Sequence, residues 1–406
     1  MPRVAPRQAR TLAFAALTVL LLVAGGVGAA PRPRDDSSPT GPQTPTQGLA
    51  GDQLTVKRID RLNLAVDLLQ GKPIVRGDFA DPFVLAQPAA NYAYATNTDE
   101  ANVPVMRFPR SDQSIAQYLG DALPTLPAWT TKGFQWAPAV LARPGGRFVL
   151  YYSTPAPGGS GRKCISRAVG DNPAGPFADD SAGPFVCPLS QGGAIDPSPF
   201  VDTDGTAYLL WKSDGNCCSL PTDLFIQPLS ADGTSTTGPP TKLATADQAW
   251  EGDLVEAPAM VRNDGRYYLF YSANNWDSDS YAVGVATCTE ATGPCTKPLE
   301  HAWFTSTTYS QGPGGQEFFP ASGGVWMVHH GWLPGQAGTP GGQRRLYLDL
   351  LAFDGADGLP TRVGAEHAIW FLVLVGAGAG AVVALFVGTA VWVRRRRHRS
   401  GGTAAA

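Results

Sequence analysis

Three acidic residues in this 406-residue chain stand at the head of similar short runs: Asp81-Pro-Phe-Val-Leu, Asp196-Pro-Ser-Pro-Phe-Val and Glu256-Ala-Pro-Ala-Met-Val. Asp-Pro alone is an ordinary turn opener. A Glu entering an apolar strand is costlier and needs a reason. If the three runs are equivalent parts of one fold, their carboxyls occupy the same place in three units and converge. Like charges brought together raise the pKa of at least one group, which yields an acid and a base in a single pocket. One carboxylic acid to protonate a leaving oxygen and one carboxylate to activate water is the pair that cleaves a glycosidic bond.

The elements that must position these acids repeat along the chain. Gly146-Arg-Phe-Val-Leu-Tyr-Tyr-Ser153, Gly205-Thr-Ala-Tyr-Leu-Leu-Trp-Lys212, Gly265-Arg-Tyr-Tyr-Leu-Phe-Tyr-Ser272 and Gly324-Val-Trp-Met-Val-His-His-Gly331 are four copies of one pattern, and Asn91-Tyr-Ala-Tyr-Ala-Thr96 is a weaker first one. Each is a turn residue followed by an apolar and aromatic run, which is a strand signal. A second series, the three acidic runs and Trp136-Ala-Pro-Ala-Val-Leu, precedes the first by nine or ten residues, and Gln316-Glu-Phe-Phe-Pro320 occupies the comparable place in the fifth copy. Thr203-Asp-Gly-Thr206 and Asn263-Asp-Gly-Arg266 supply hairpin turns between the two series. The remainder of each copy has room for two further strands. Five such units without helical periodicity predict an all-β, five-bladed propeller over residues 61–362.

Composition agrees. The 47 Gly and 36 Pro beside 10 Trp, 12 Tyr and 17 Phe suit short strands with many turns, and exclude a helical bundle or a disordered chain. The two ends are read separately. Residues 1–30 carry Arg3, Arg7 and Arg10, an apolar run and small residues up to Ala30, the pattern of a secretory signal. Residues 31–60 are a Pro/Ser/Thr-rich linker. Residues 368–393 hold no charge and meet Arg394-Arg-Arg-Arg397, which predicts a transmembrane helix with a basic cytoplasmic tail, 394–406. The propeller would then face the cell exterior, anchored in the plasma membrane. Eight arginines and no acid lie in those two end segments, so a chain of formal charge −3 leaves −11 for the remainder. That disfavours nucleic acid and anionic lipid surfaces as partners of the domain and favours neutral ligands. In an exported chain the six Cys are expected in disulfides: Cys164 with Cys187, Cys288 with Cys295, and Cys217-Cys218 either as a vicinal bridge or as free thiols. No zinc spacing, phosphate-binding loop or Gly-x-Ser-x-Gly motif occurs.

Asp81-Pro-Phe-Val, Trp136-Ala-Pro-Ala-Val, Ile195-Asp-Pro-Ser-Pro-Phe, Glu256-Ala-Pro-Ala-Met and Val328-His-His-Gly-Trp332, taken in order, resemble glycoside hydrolase family 43. The resemblance covers approximately residues 65–362. It implies a five-bladed propeller acting on arabinofuranosyl or xylosyl linkages of oligo- or polysaccharides with inversion. By motif, it implies Asp81 as general base, Glu256 as general acid and Asp196 as the residue that orients substrate and tunes the acid. Inversion needs space for water, hence carboxyls about 6.5–9.5 Å apart. The resemblance further implies Arg344 beside the base, with Arg345 as runner-up, His330 lining the axis and Trp136 as a sugar-facing platform. No organic cofactor is implied. The chain departs from the pattern at Ala139, where Asp is frequent, and at Gly312-Pro-Gly-Gly315, where a final His can hold calcium; the second departure puts calcium in doubt. A carbohydrate-binding propeller without turnover is the alternative reading, and a monomer is expected.

Overall fold

Adjacent residues of the aromatic runs point to opposite sides of a strand, so a run that is apolar throughout must be covered on both faces. The computed structural model, which describes residues 71–109, 116–321, 324–353, 355 and 357–363, shows how. The runs become the second strands of five antiparallel sheets, and each second strand packs against the sheets on either side. Tyr151 and Tyr152, Leu209 and Leu210, Leu269 and Phe270, and Met327 and Val328 each divide between two neighbouring clusters of buried side chains. Five such clusters fill the five interfaces between successive sheets.

Blade 1 consists of β1 (Phe83–Ala86), β2 (Ala90–Tyr94), β3 (Pro104–Pro109) and β4 (Gln117–Asp121). Blade 2 has β5 (Trp136–Arg143), β6 (Arg147–Pro155) and β7 (Lys163–Gly170). Blade 3 runs through β8 (Ala194–Val201), β9 (Ala207–Ser213), β10 (Asp223–Pro228) and β11 (Thr241–Thr245). Blade 4 comprises β12 (Val255–Asn263), β13 (Arg266–Ala273), β14 (Ala282–Cys288) and β15 (Cys295–Thr296). Blade 5 comprises β16 (Gln311–Ala321), β17 (Gly324–Trp332), β18 (Arg344–Ala352) and β19 (Thr361–Arg362). The first strands β1, β5, β8, β12 and β16 touch in that order and β16 returns to β1, so the blades close into a ring around an axis. Residues 74–79 lock the closure: the Ile74 and Phe79 amides donate to the carbonyls of Leu346 and Arg344 on β18, at 2.9 and 2.7 Å. The Asn263-Asp-Gly-Arg266 hairpin is the two-residue turn expected, with Asn263 paired to Arg266 and both central residues at positive φ.

Blade 2 departs from the expected four strands. The segment after β7, residues 171–193, holds Pro173, Pro176, Pro184 and Pro188, and its backbone meets β7 in isolated bridges at Ile165–Val186, Val169–Ala178 and Lys163–Gly193. Proline has no amide to give a ladder, so this stretch covers the edge without becoming a strand. Its anchor is covalent, Cys164 on β7 to Cys187. Cys288–Cys295 and the vicinal Cys217–Cys218 are also bonded. The signal 1–30, the linker 31–60, the apolar run 368–393 and the tail 394–406 lie outside the described residues. Among the described residues no helix is long and apolar enough to cross a membrane.

Because the Cys164–Cys187 bond closes a loop of 23 residues, replacing both cysteines by alanine should lower stability by about 3 kcal/mol. Denaturant unfolding under non-reducing conditions measures it; an unchanged midpoint would show that the segment is held without the bond.

Candidate active site

Each first strand carries the same irregularity. Asp81, Ala137, Asp196 and Ala257 are non-glycine residues at φ 43–55°, each followed by proline, and Gly315 at φ 57° takes the place in blade 5. In blades 2 to 5 the ladder skips this residue and the one after it, which together form a bulge. The left-handed conformation costs about 1–2 kcal/mol per non-glycine residue, and it leaves one backbone amide outside the ladder. That amide is caught by the blade before. Ala137 donates to Thr96 Oγ1 at 3.0 Å, Asp196 to Ser153 Oγ at 3.0 Å, Gly315 to Ser272 Oγ at 2.9 Å and Asp81 to His330 Nδ1 at 3.0 Å. The acceptors Ser153, Ser272 and His330 occupy one register at the ends of the aromatic runs, facing Trp136, Glu256 and Gly314 across the ladder, and in blade 3 that register holds Lys212, facing Ile195.

The acids are therefore not strictly equivalent, as the sequence reading had them. Asp81 and Asp196 are the left-handed residues themselves, whereas Glu256 precedes the left-handed Ala257 and shares its register with Trp136. They nevertheless meet. Lysine has donors and no acceptor, so in blade 3 the ring of amide bonds is broken at Lys212. The Ala257 amide turns instead to Asp196 Oδ2 at 2.9 Å, and Lys212 Nζ turns to Glu256 Oε2 at 3.0 Å. On the other side, the His330 ring that receives Asp81 stacks on Tyr281, centroids 5.8 Å apart, and the Tyr281 hydroxyl donates to Glu256 Oε1 at 2.8 Å. One imidazole and one phenol thus join the surroundings of Asp81 to those of Glu256.

The three carboxyls live in different electrostatic surroundings. Burial alone would raise the Asp81 pKa. The Arg344 guanidinium, 3.3 and 3.4 Å from its two oxygens, and the Thr96 hydroxyl at 2.5 Å outweigh that and hold Asp81 well below the usual carboxylate range. Asp196 goes the other way: burial, then the negative charge of Glu256, push it up to about 8 against the opposing pull of Lys212. Asp196 therefore retains a proton at neutral pH while Asp81 has none. That is the chemical asymmetry that an acid–base hydrolysis requires.

The sequence model described as glycosyl hydrolases family 43 matches residues 70–360. The chain belongs to that family. Among relatives, a β-D-galactofuranosidase of Aspergillus niger is 26% identical over 242 residues, 55% of this chain and 65% of that protein. An α-L-arabinofuranosidase of Humicola insolens is 27% identical over 276 residues, 62% of this chain and 54% of that protein. The chain thus matches less than two thirds of the length of either. A solved thermostable family-43 glycoside hydrolase superposes with a TM-score of 0.61 at 27% identity, covering 71% of this chain and 93% of the other. An endo-1,4-β-xylanase of Bacteroides thetaiotaomicron gives 0.59 at 27% identity, over 71% and 95%.

Within this family 43 chain the remaining expected residues fall into place unevenly. Arg344, not Arg345, reaches Asp81; on β18 Arg344 pairs with Trp332 and Arg345 with Gly331. Its guanidinium also lies 4.6 Å from the ring centre of Trp276, a residue on the loop after β13 that the sequence did not single out. Trp136 is half-buried and carries the Lys163 ammonium over its ring at 4.6 Å, so one face is already covered. His330 is neutral, its pKa lowered by burial. The pattern of the other blades makes its Nδ1 the acceptor of the Asp81 amide and leaves the proton on Nε2, which is buried and meets no protein partner. One unpartnered nitrogen does not make a cation site, and among the described residues no group of three His, Cys, Asp or Glu is placed to hold a metal. Lys212, Tyr281, Thr96 and Ser272 are the site residues that sequence reasoning missed. Thr96, Lys212 and Ser272 were visible as the polar residue closing each aromatic run; Tyr281, on a loop, had no such signal.

At Gly315 a Cβ would come within 2.6 Å of His330 Nδ1 and 3.0 Å of Asp81 Oδ1, at a φ that side chains resist. The imidazole of His330 fills the space a side chain would need. Gly315→Ala should therefore cost about 2–3 kcal/mol of stability, from strain and a displaced ring. Urea unfolding tests this, and a loss below about 0.5 kcal/mol would mean that the ring moves freely.

Proposed function

We propose that the chain is an inverting glycoside hydrolase of arabinofuranosyl or xylosyl linkages in extracellular or cell-wall polysaccharide. The observation that carries this reading is the opposed state of the carboxyls: Asp81 held ionised by Arg344 and Thr96, and Asp196, beside Glu256, holding a proton into mildly alkaline pH. In this reading Asp81 is the general base. It takes a proton from water as the water attacks the anomeric carbon. Glu256 is the general acid and gives its proton to the leaving oxygen as the glycosidic bond breaks. Asp196, fixed by the Ala257 amide, orients the sugar and tunes the acid. Inversion has the base activate water and form no bond to carbon, and it requires about 6.5–9.5 Å between the Asp81 and Glu256 carboxyls. Arg344 holds the base in place. No organic cofactor is needed. The named relatives support furanosyl or xylosyl sugars in the pocket, and the terminal segments read from sequence support an exported domain tethered at the plasma membrane with short oligosaccharides or wall polysaccharide within reach.

The pH dependence follows from the two environments. Activity needs Asp81 ionised, so it persists to pH values below the usual carboxylate range and falls as Asp81 takes up a proton. It needs the proton held on the acid side of the site, and Asp196 gives up its own as pH rises through about 8, so activity falls again there. For kcat/KM on whichever of arabinan, arabinogalactan, xylan or aryl pentosides is cleaved, the expected profile is a plateau that extends below the usual carboxylate range on the acid side and bends down as pH approaches about 8. Asp81→Asn and Glu256→Gln should each lower turnover by about 10²–10⁴-fold. Sugar release measured on this panel decides the matter. Release that survives both substitutions would sink the site assignment; binding without release on any substrate would identify a carbohydrate-binding propeller.

A further inference from the structure

Lys212 stands where the fold calls for a hydrogen-bond acceptor. Thr96, Ser153, Ser272 and His330 at the equivalent places each receive the amide of the next blade. An ammonium cannot do so, and this one is fully buried, which is costly unless charges answer it. They do. Nζ donates to Glu256 Oε2 at 3.0 Å and to Asn216 Oδ1 at 2.8 Å, with Asp214 Oδ1 at 3.8 Å. Asp214 and Asn216 lie just beyond β9, Asn216 in the turn Gly215–Cys218, so the lysine is tethered within its own blade while it reaches across to blade 4. Burial would lower its pKa, but Glu256, Asp196 and Asp214 outweigh that and keep it charged.

We propose that Lys212 is a positioning residue for the leaving-group acid: its ammonium fixes the Glu256 carboxyl through Oε2 and stabilises the carboxylate that forms as the proton leaves. The proposal rests on the reading of Glu256 as that acid. As the glycosidic C–O bond breaks, its electron pair goes to the leaving oxygen, and that oxygen takes the Glu256 proton. The negative charge left on Glu256 then lies against the ammonium already in place, in a site with little water to screen it. Without Lys212 the same carboxylate would face Asp196 and Asp214, both acidic, with the Tyr281 hydroxyl on its other oxygen. Lys163 faces Asp214 from blade 2, and Arg344 is occupied by Asp81 on the far side. Among the described residues Lys212 is the cation paired with Glu256.

The test is a leaving-group comparison on the full-length protein, with phenyl and 2,4-dinitrophenyl glycosides of the sugar it cleaves. A phenoxide needs the acid's proton to leave and a dinitrophenoxide hardly does. Lys212→Gln keeps a donor without the charge and Lys212→Arg keeps the charge. Lys212→Gln should lower kcat by about 30-fold or more on the phenyl glycoside, and at least about tenfold less than that on the dinitrophenyl one, with KM nearly unchanged. Its alkaline limb should move up by about one pH unit, because losing a nearby cation weakens the acid. Lys212→Arg should leave that limb within about 0.3 units of its place. Equal losses on both glycosides, or an unmoved limb in Lys212→Gln, would show a merely structural lysine and overturn the proposal. Glu256→Gln in parallel separates the two ways of failing. If it too lacks leaving-group dependence, the acid itself is misassigned and the proposal falls with it. If it shows that dependence while Lys212→Gln does not, the lysine alone is wrong. Should Lys212→Gln fail to fold, the same comparison on Lys212→Met and the limb of Lys212→Arg decide.

Discussion

One backbone amide per blade has nowhere to go, and the centre of the molecule is arranged around that fact. A left-handed residue, ahead of a proline in four of the blades, interrupts the first strand, and its N–H points away from its own sheet's ladder. An unpaired buried amide costs about 1–3 kcal/mol. The second strand of the preceding blade supplies the acceptor, from Thr96, Ser153, Ser272 and, across the closure of the ring, His330. The interaction is modest in energy, but it is repeated around the axis and fixes each blade's inner end against its neighbour. The apolar clusters between blades could tolerate a small slide; a set of directional hydrogen bonds cannot.

The site grows from this ring where chemistry takes it over. At two left-handed positions the residue is aspartate, so the conformation that frees an amide also presents a carboxyl near the axis. At one acceptor position the residue is lysine, and the amide it cannot receive is passed to Asp196 while the ammonium is freed for Glu256. The base half is built by blades 1 and 5, with Arg344 and Thr96 on Asp81; the acid half is built by blades 3 and 4. His330 and Tyr281, stacked nearly parallel, join the halves. A structural motif repeated five times thus becomes a site by departing from itself at few places, which is how equivalent backbone positions acquire opposite protonation states.

Much of this was legible in the sequence because propeller strands follow a two-residue period and a unit length. The aromatic runs opening at residues 91, 146, 205, 265 and 324 are β2, β6, β9, β13 and β17, and the Pro-containing runs before them are the first strands. The family resemblance read from those runs led to the same acids that converge in space. Asp81, Asp196 and Glu256 were placed one register too alike because Pro follows directly in two cases and after Ala257 in the third, a difference that matters only once φ is known. Blade 2's missing strand was written in Pro173, Pro176, Pro184 and Pro188, yet counting room for strands ignored that proline gives no amide. The roles of Lys212 and Tyr281 were beyond reach for a different reason. Their importance lies in contacts between blades, and nothing local in a strand or loop says which neighbour's carboxyl a side chain will meet.

The acid–base account stands or falls on the stereochemistry of the bond it breaks. Proton NMR recorded in the first minutes of cleavage of an aryl α-L-arabinofuranoside, or of an aryl β-D-xyloside if that is the one cleaved, reads the anomer released before mutarotation. Asp81 acting on water, with Glu256 protonating the leaving oxygen, predicts the inverted anomer first. The retained anomer appearing first would mean that a carboxylate attacks carbon itself, and would contradict the roles assigned to Asp81 and Glu256.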